Sequence, residues 1–179
     1  MATLELSVTK TFEHRALDVN SQTWKNLRQQ ILRRDSNRCR FCGFMATKHM
    51  VIDHINGDAS DNSLENLGVN CKACDKIRHC GRAGMHGLLL LCETDLEQVR
   101  IVTESRNFFK KHGRNPYPNE VDPTARKVTI PVVELANQLL KTDKPKAIIG
   151  DLKGFFTEKF TEWQVEWEQA ESGQASFFL

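Results

Sequence analysis

Four cysteines stand in two Cys-x-x-Cys pairs, Cys39 with Cys42 and Cys71 with Cys74, and an Asp53-His54 dipeptide lies between them. A Cys-x-x-Cys turn aims two sulfurs at one point, so two such turns brought together make the tetrahedral thiolate set that zinc prefers. Gly43 permits the tight return after the first pair. Four unliganded buried thiols or a redox pair are the alternatives for the same residues. A site closed by four sulfurs has no place for water, so zinc there would be structural, contributing on the order of 10 kcal/mol to folding. Two cysteines are left over. Cys80 adjoins His79 and is either a substitute ligand or, like Cys92, a buried thiol.

The Asp53-His54 pair carries a different chemistry. It ends the apolar run Met50-Val51-Ile52 and precedes Asn56, Gly57, Asp58, Asp61 and Asn62, which is turn chemistry after a strand end. A neutral imidazole, with an ordinary pKa of about 6.5, accepts a proton at neutral pH. A single hard cation on a neighbouring carboxylate stabilises charge developing on a phosphate. Asp75 would complete a two-carboxylate site with Asp53, suited to Mg²⁺ or Mn²⁺ rather than to zinc or nickel. His79, one helical turn beyond Asp75, is an alternative ligand on the same face.

These residues must be held by regular elements. "LELSV" near the start reads as a strand, and Trp24, Leu27 and Ile31 recur at helical spacing from Gln22 to about Arg34, with Ser21 as N-cap. "HGLLLLC" reads as a buried strand, and Thr94 with Glu97 reads as a capping box opening a helix that runs toward Gly113. "RNPYPNEVDPTARK" is too rich in proline to be helical, and serves either as a binding element or as plain linkage. Pro131 opens a short helix carrying Val132, Leu135 and Leu139. Ile149, Leu152, Phe156, Phe160, Trp163 and Trp167 form one stripe at helical spacing, which predicts a last helix weakened at its start by Gly150 and Gly154. That stripe either completes the protein's own core or docks a partner, and the terminal Phe177-Phe178-Leu179 is a frayed tail or a short anchor.

With 40% apolar and 27% charged residues among 179, the composition is that of a soluble domain with a real core. No apolar stretch is long enough to span a membrane, so no membrane insertion is expected. Residues Met1 to Lys10 lack the pattern of a signal peptide, and the expected compartment is the cytoplasm, where cysteines are thiols or metal ligands. The net charge of +2 does not by itself argue for nucleic acid, yet it is unevenly spread. Lys25, Arg28, Arg33, Arg34, Arg38, Arg40 and Lys48 face only Asp35 in their stretch, while Glu158, Glu162, Glu166, Glu168 and Glu171 load the C-terminal end. The first group is placed to meet phosphates and the second a protein partner, or both are solvated faces.

From about Cys39 to Gly81 the order of a knuckle, a strand ending in Asp-His, a loop closing on "LENL" and a second knuckle opening a helix resembles the ββα-metal, or HNH, nuclease module. The resemblance implies an α+β fold, a treble-clef zinc module wrapped by flanking helices. It also implies that Asp53 binds the divalent cation, that His54 is the general base, and that Asn66 pins the loop and orients His54. The family's third position, usually His or Asn, is Asp75 in this chain. Arg33, Arg34, Arg38 and Arg40 would then position a DNA backbone without reading its sequence. Nucleases of this kind often work as pairs, so a homodimer is in view.

"ILRRD", "CRFCGF", "NGDASDNSLENL" and "GLLLLCETDLEQV" are in addition similar to a narrower group, the IcmJ/DotN-like zinc proteins of type IVB secretion systems. In that group the same module is implied to be a catalytically inactive scaffold of the coupling complex, and the Asp-His pair is absent. This chain keeps Asp53-His54. The organisation expected is an N-terminal strand and helix over 1–35, the zinc module with its following strand and helix over 36–113, and a helical extension over 114–179. The leading expectation is a Mg²⁺- or Mn²⁺-dependent DNA endonuclease; the alternative is a zinc-stapled scaffold that binds a protein through its C-terminal helix.

Overall fold

In the computed structural model the described residues are 1–9, 17–139, 141 and 146–163. Among them the chain is an α+β assembly of six helices and three small antiparallel sheets. Helix α1 (Gln22–Arg34) forms where the apolar spacing predicts it, and the Ser21 hydroxyl accepts the Trp24 N–H at 3.1 Å as its N-cap. Ile31 is its fully buried residue, with Trp24 and Leu27 packed at the margin of the core. Asp35 ends the helix and turns the chain into the first cysteine pair.

The middle of the chain builds the site. Strands β2 (Val51–His54) and β3 (Leu67–Asn70) pair as an antiparallel hairpin with Asp53 opposite Gly68 and His54 opposite Leu67. The loop between them ends in a 3-10 turn at Leu64–Asn66. Helix α2 (Lys72–Arg78) starts at the second cysteine pair and is followed by α3 (Cys80–Met85), which packs on a later helix, α6 (Val132–Leu139). The contact between α3 and α6 is close because Gly81 and Gly84 face it; a Cβ on Gly84 would lie 2.7 Å from the Val132 Cβ.

The outer sheets join distant parts of the chain. Strand β1 (Ser7–Thr9) pairs with β6 (Lys146–Ile148), and β4 (Leu89–Glu93) lies between β5 (Arg126–Lys127) and β7 (Leu152–Phe156). Helix α4 (Gln98–His112) crosses this sheet and ends at Gly113, whose φ of +68° is the left-handed stop that glycine adopts without strain. No helix of the described residues is long and apolar enough to cross a membrane.

Three expectations need correction. The stripe from Ile149 to Trp163 is not one helix: Leu152–Phe156 is the strand β7, paired residue by residue with β4 from Leu89 opposite Phe156 to Glu93 opposite Leu152, and of the described residues in this stretch only Glu162 and Trp163 are helical. A run buried on both faces satisfies helical spacing and strand burial alike, and Gly154 lets the strand lie close to Ile77 and Leu6, each of which a Cβ there would meet at 3.0 Å. The stripe still fills the core, Phe156, Phe160 and Trp163 stacking edge to face at centroid distances of 4.9 and 4.8 Å from the Trp163 ring. Trp167 and the terminal Phe177-Phe178-Leu179 lie outside the described residues.

The Thr94–Glu97 box also does not form. Helix α4 starts at Gln98 with Glu97 as N-cap, while the Thr94 hydroxyl donates to Asp122 and accepts the Leu96 N–H. Gln98 instead locks the helix start to β7, donating to the Gly154 carbonyl at 2.8 Å and accepting its N–H at 2.7 Å. The proline-rich connection does contain a helix, α5 (Pro118–Val121). Pro118 stands at its first turn, where no amide hydrogen is needed, and the Glu120 carboxylate accepts the Tyr117 N–H at 2.7 Å.

Candidate metal centre and the Asp-His cleft

The two knuckles meet. Gly43, at φ +71°, turns the chain so that its N–H reaches the Cys39 carbonyl, and Phe44 accepts the Cys39 N–H. Cys71 is the N-cap of α2, its sulfur accepting the Cys74 N–H at 3.5 Å. The sulfurs of Cys39, Cys42, Cys71 and Cys74 all lie within 4.8 Å of one another. A tetrahedron with Zn–S bonds of about 2.3 Å has S···S edges of about 3.8 Å. The Cys42–Cys71 separation is 3.7 Å, so the donor set fits zinc. Burial pushes the Cys71 thiol up and hydrogen bonds to the neighbouring sulfurs push Cys74 up, while hydrogen bonds within the cluster hold Cys42 and Cys39 down, so the four crowded thiols do not all ionise together. A dication at their centre removes that obstacle. Cys80 and Cys92 stand apart from this set, burial raising them to about 12 and about 11, which makes them inert.

Asp53 is 5% exposed and its carboxylate is fully engaged. Oδ2 accepts from Arg78 Nε at 2.8 Å and from Asn70 Nδ2 at 3.0 Å, and Oδ1 lies 3.1 Å from His79 Nε2. Burial favours the neutral acid, but the His79 hydrogen bond and the charges of His79 and Arg78 outweigh it and hold Asp53 down at about 2. His79 in turn is raised: burial opposes its charge, and the Asp53 hydrogen bond with the Asp75 and Asp53 charges overcomes it. Its Nδ1 meets the Thr9 hydroxyl, and Asp75 stands 3.6 Å from Nε2, raised chiefly by burial. Arg78 also donates to the His54 and Ile55 carbonyls at 2.9 and 3.3 Å, tying helix α2 to the end of β2.

Arg78 therefore brings a guanidinium to one oxygen of Asp53, and His79 brings a raised imidazole to the other. A Mg²⁺ or Mn²⁺ ion would need an Asp53 oxygen at about 2.0–2.1 Å, beside a guanidinium already bonded to that carboxylate. This donor set fits the ion poorly. Among the described residues the four cysteines are the one group of three or more His, Cys, Asp or Glu gathered closely enough to hold an ion.

His54 faces a cleft of about 170 Å³ that it shares with Asp53, Asp75, His79, Trp24 and Asn62. Its Nε2 is 3.2 Å from Asn62 Oδ1, and its ring stacks toward Trp24 at 6.5 Å. An amide oxygen only accepts, so the imidazole donates from Nε2 in this arrangement. Asn66 pins the loop: its Oδ1 accepts the Asn56 N–H at 2.9 Å and its Nδ2 donates to the Asp61 carbonyl at 2.8 Å.

Three of the four arginines, Arg34, Arg38 and Arg40, line one shallow cleft with Asp35, and each is also tied into the fold. Arg34 is forked onto Asp35 and donates to the Leu64 and Leu67 carbonyls, and Arg38 donates to the Gly43 carbonyl. Arg40 is half-buried over Phe41 and against Gly68. Arg33 is exposed.

No family model matches the chain. It is 31% identical over 83 residues to the type 4 apparatus protein DotN of Legionella pneumophila subsp. pneumophila strain Philadelphia 1, a match covering 45% of this chain and 39% of the relative. The chain thus matches about two-fifths of that protein's length. The similarity is distant, and it joins the four-cysteine cluster as the two findings that bear on function.

Sequence reasoning missed Arg78, Asn70 and Arg106. Arg78 has one legible signal, since it stands beside Ile77 in a seven-residue helix whose neighbours Ala73, Cys74 and Ile77 are all buried. Arg106 is one basic residue in a helix that ends Lys110-Lys111-His112, and only the tertiary structure separates it from the solvated ones.

Proposed function

We propose that this chain is a non-catalytic, zinc-stapled component of a type IV secretion apparatus, a scaffold that binds other proteins of a coupling complex. The observation that carries the reading is the buried Arg78–Asp53 pair at 2.8 Å, which occupies the carboxylate a hydrolytic metal would use. The similarity to DotN over 83 residues supports the same class. The order of knuckle, β2–β3 hairpin and α2 supports a treble-clef, ββα-metal architecture, with structural zinc on Cys39, Cys42, Cys71 and Cys74. In this reading the module keeps its metal-stapled shape, while the Arg78 guanidinium takes the place of the catalytic ion.

Two observations favour the nuclease reading. Asn66 pins the loop as a positioning residue should, and His54 faces an open cleft with Asp75. In that reading DNA is the substrate, Mg²⁺ or Mn²⁺ the cofactor, and Arg33 the arginine most free to meet a phosphate.

The experiment incubates zinc-loaded protein with supercoiled plasmid and Mg²⁺ or Mn²⁺, beside His54→Ala, and in parallel tests co-purification with the coupling ATPase of the same secretion system. The scaffold reading expects intact plasmid and a stable complex. Nicking by the wild type that disappears in His54→Ala would replace it with the nuclease.

A further inference from the structure

Arg106 is buried on α4, 6% exposed, and its guanidinium points at the cysteine cluster. Nη2 donates to Cys71 Sγ at 3.2 Å and Nη1 to Cys42 Sγ at 3.6 Å. One sulfur comes from each knuckle, so the fork spans both halves of the site. The plane of the group lies over Phe44 at 4.1 Å, immediately after the first knuckle, and 5.2 Å from the Trp163 ring. A rigid, always-charged fork suits two acceptors at fixed spacing, which an ammonium does not.

Four thiolates around a divalent ion carry two net negative charges. Buried charge of that kind is costly unless cations and hydrogen bonds compensate it. The α2 N-terminus supplies one N–H to Cys71, and Arg106 supplies a full positive charge with two more N–H groups. Such hydrogen bonds draw electron density from sulfur and hold each sulfur in place.

We propose that Arg106 is the outer cation of a zinc centre at Cys39, Cys42, Cys71 and Cys74, a positioning residue whose fork on Cys42 and Cys71 slows loss of the metal. It rests on the zinc reading of the cluster. Through Phe44 and Trp163 it also makes the aromatic core part of the metal's surroundings, so that metal retention and the seating of Trp163 are linked.

The full chain is purified as wild type, Arg106→Lys and Arg106→Met, and zinc content is measured first. Release to a chelating dye is then timed, and the cobalt-substituted proteins are read by absorption. Arg106→Met is expected to lose zinc roughly 10- to 100-fold faster, with Arg106→Lys between it and the wild type. The sulfur-to-cobalt charge-transfer bands should move to lower energy in Arg106→Met, because its sulfurs regain electron density, while Phe44→Leu loses packing without that shift. Arg106→Lys keeps the charge and most of the bulk, so the comparison survives should Arg106→Met fail to fold. Wild-type protein without zinc would overturn the zinc reading and this proposal with it. Zinc-loaded Arg106 variants with wild-type release rates and unmoved bands would overturn this proposal alone.

Discussion

Replacing Arg78 by alanine tests whether the cation on Asp53 is structural. The side chains of Arg78 and Asp53 are 4% and 5% exposed, and the guanidinium makes three hydrogen bonds, one to the Asp53 carboxylate and two to the carbonyls of His54 and Ile55. Removing one partner of a buried pair costs about 3–5 kcal/mol, because the other charge is left behind. Asp53 would keep Asn70 at 3.0 Å and His79 at 3.1 Å, which places the expected loss toward the lower end. A loss of about 3–4 kcal/mol corresponds to a fall in Tm of roughly 6–16 °C for a chain of this size. The assay is urea unfolding followed by tryptophan fluorescence with zinc held in excess, on Arg78→Ala, Asp53→Ala and the double variant. The double variant should lose less than the sum of the singles, with a coupling of about 2 kcal/mol or more. Singles that simply add, or an Arg78→Ala cost below about 1 kcal/mol, would refute the picture of a cation-filled carboxylate site.

Further outcomes follow from the same geometry. Cys71→Ser, or stripping with a strong chelator, should abolish the tertiary fold, because structural zinc contributes on the order of 10 kcal/mol; one zinc per chain by elemental analysis and loss of near-UV dichroism on chelation are the readouts. Gly84→Ala should cost about 1–3 kcal/mol through overpacking, since its Cβ would meet Val132 at 2.7 Å and the Val133 nitrogen at 3.1 Å; a urea midpoint unchanged from wild type would contradict the close α3–α6 crossing. The raised His79 contributes stability that is complete below its unfolded pKa of about 6.5 and is lost as the pH rises through the higher folded value. The urea midpoint of the wild type should therefore fall as the pH rises above about 6.5, and His79→Gln should flatten that limb.

The cleft beside His54 is open, and the carboxylate next to it is buried and paired. Asp53, His54 and Asp75 line one cleft, and Asn66 holds the loop beside it, but Asp53 is bonded to Arg78 and lies 3.1 Å from His79. The loop that Asn66 holds keeps its shape through its own turn hydrogen bonds, with Asp58 and Asp61 each accepting from residues two positions on. Such a loop persists whether or not chemistry is done beside it.

How much was legible depended on the range of the interaction. Helix α1 and its Ser21 cap, the turn at Gly43 and the end of β2 at Asp53-His54 rest on residues within a few positions of each other and were legible from their spacing, while the start of α2 at Cys71 was expected from the family resemblance. The four-cysteine cluster was legible for the same reason, each Cys-x-x-Cys pair being a local turn. The stripe from Ile149 to Trp163 was misread because periodicity reports which residues are buried, while the choice of strand belongs to β4, which lies some sixty residues upstream and supplies the pairing edge. Arg78 meets Asp53 across 25 positions and Arg106 meets Cys42 across 64. A basic side chain carries no mark in the sequence that distinguishes a solvated charge from a buried counter-ion. Burial supplies that distinction, because removal from water makes a charge seek a partner, and only the folded chain decides which partner is within reach.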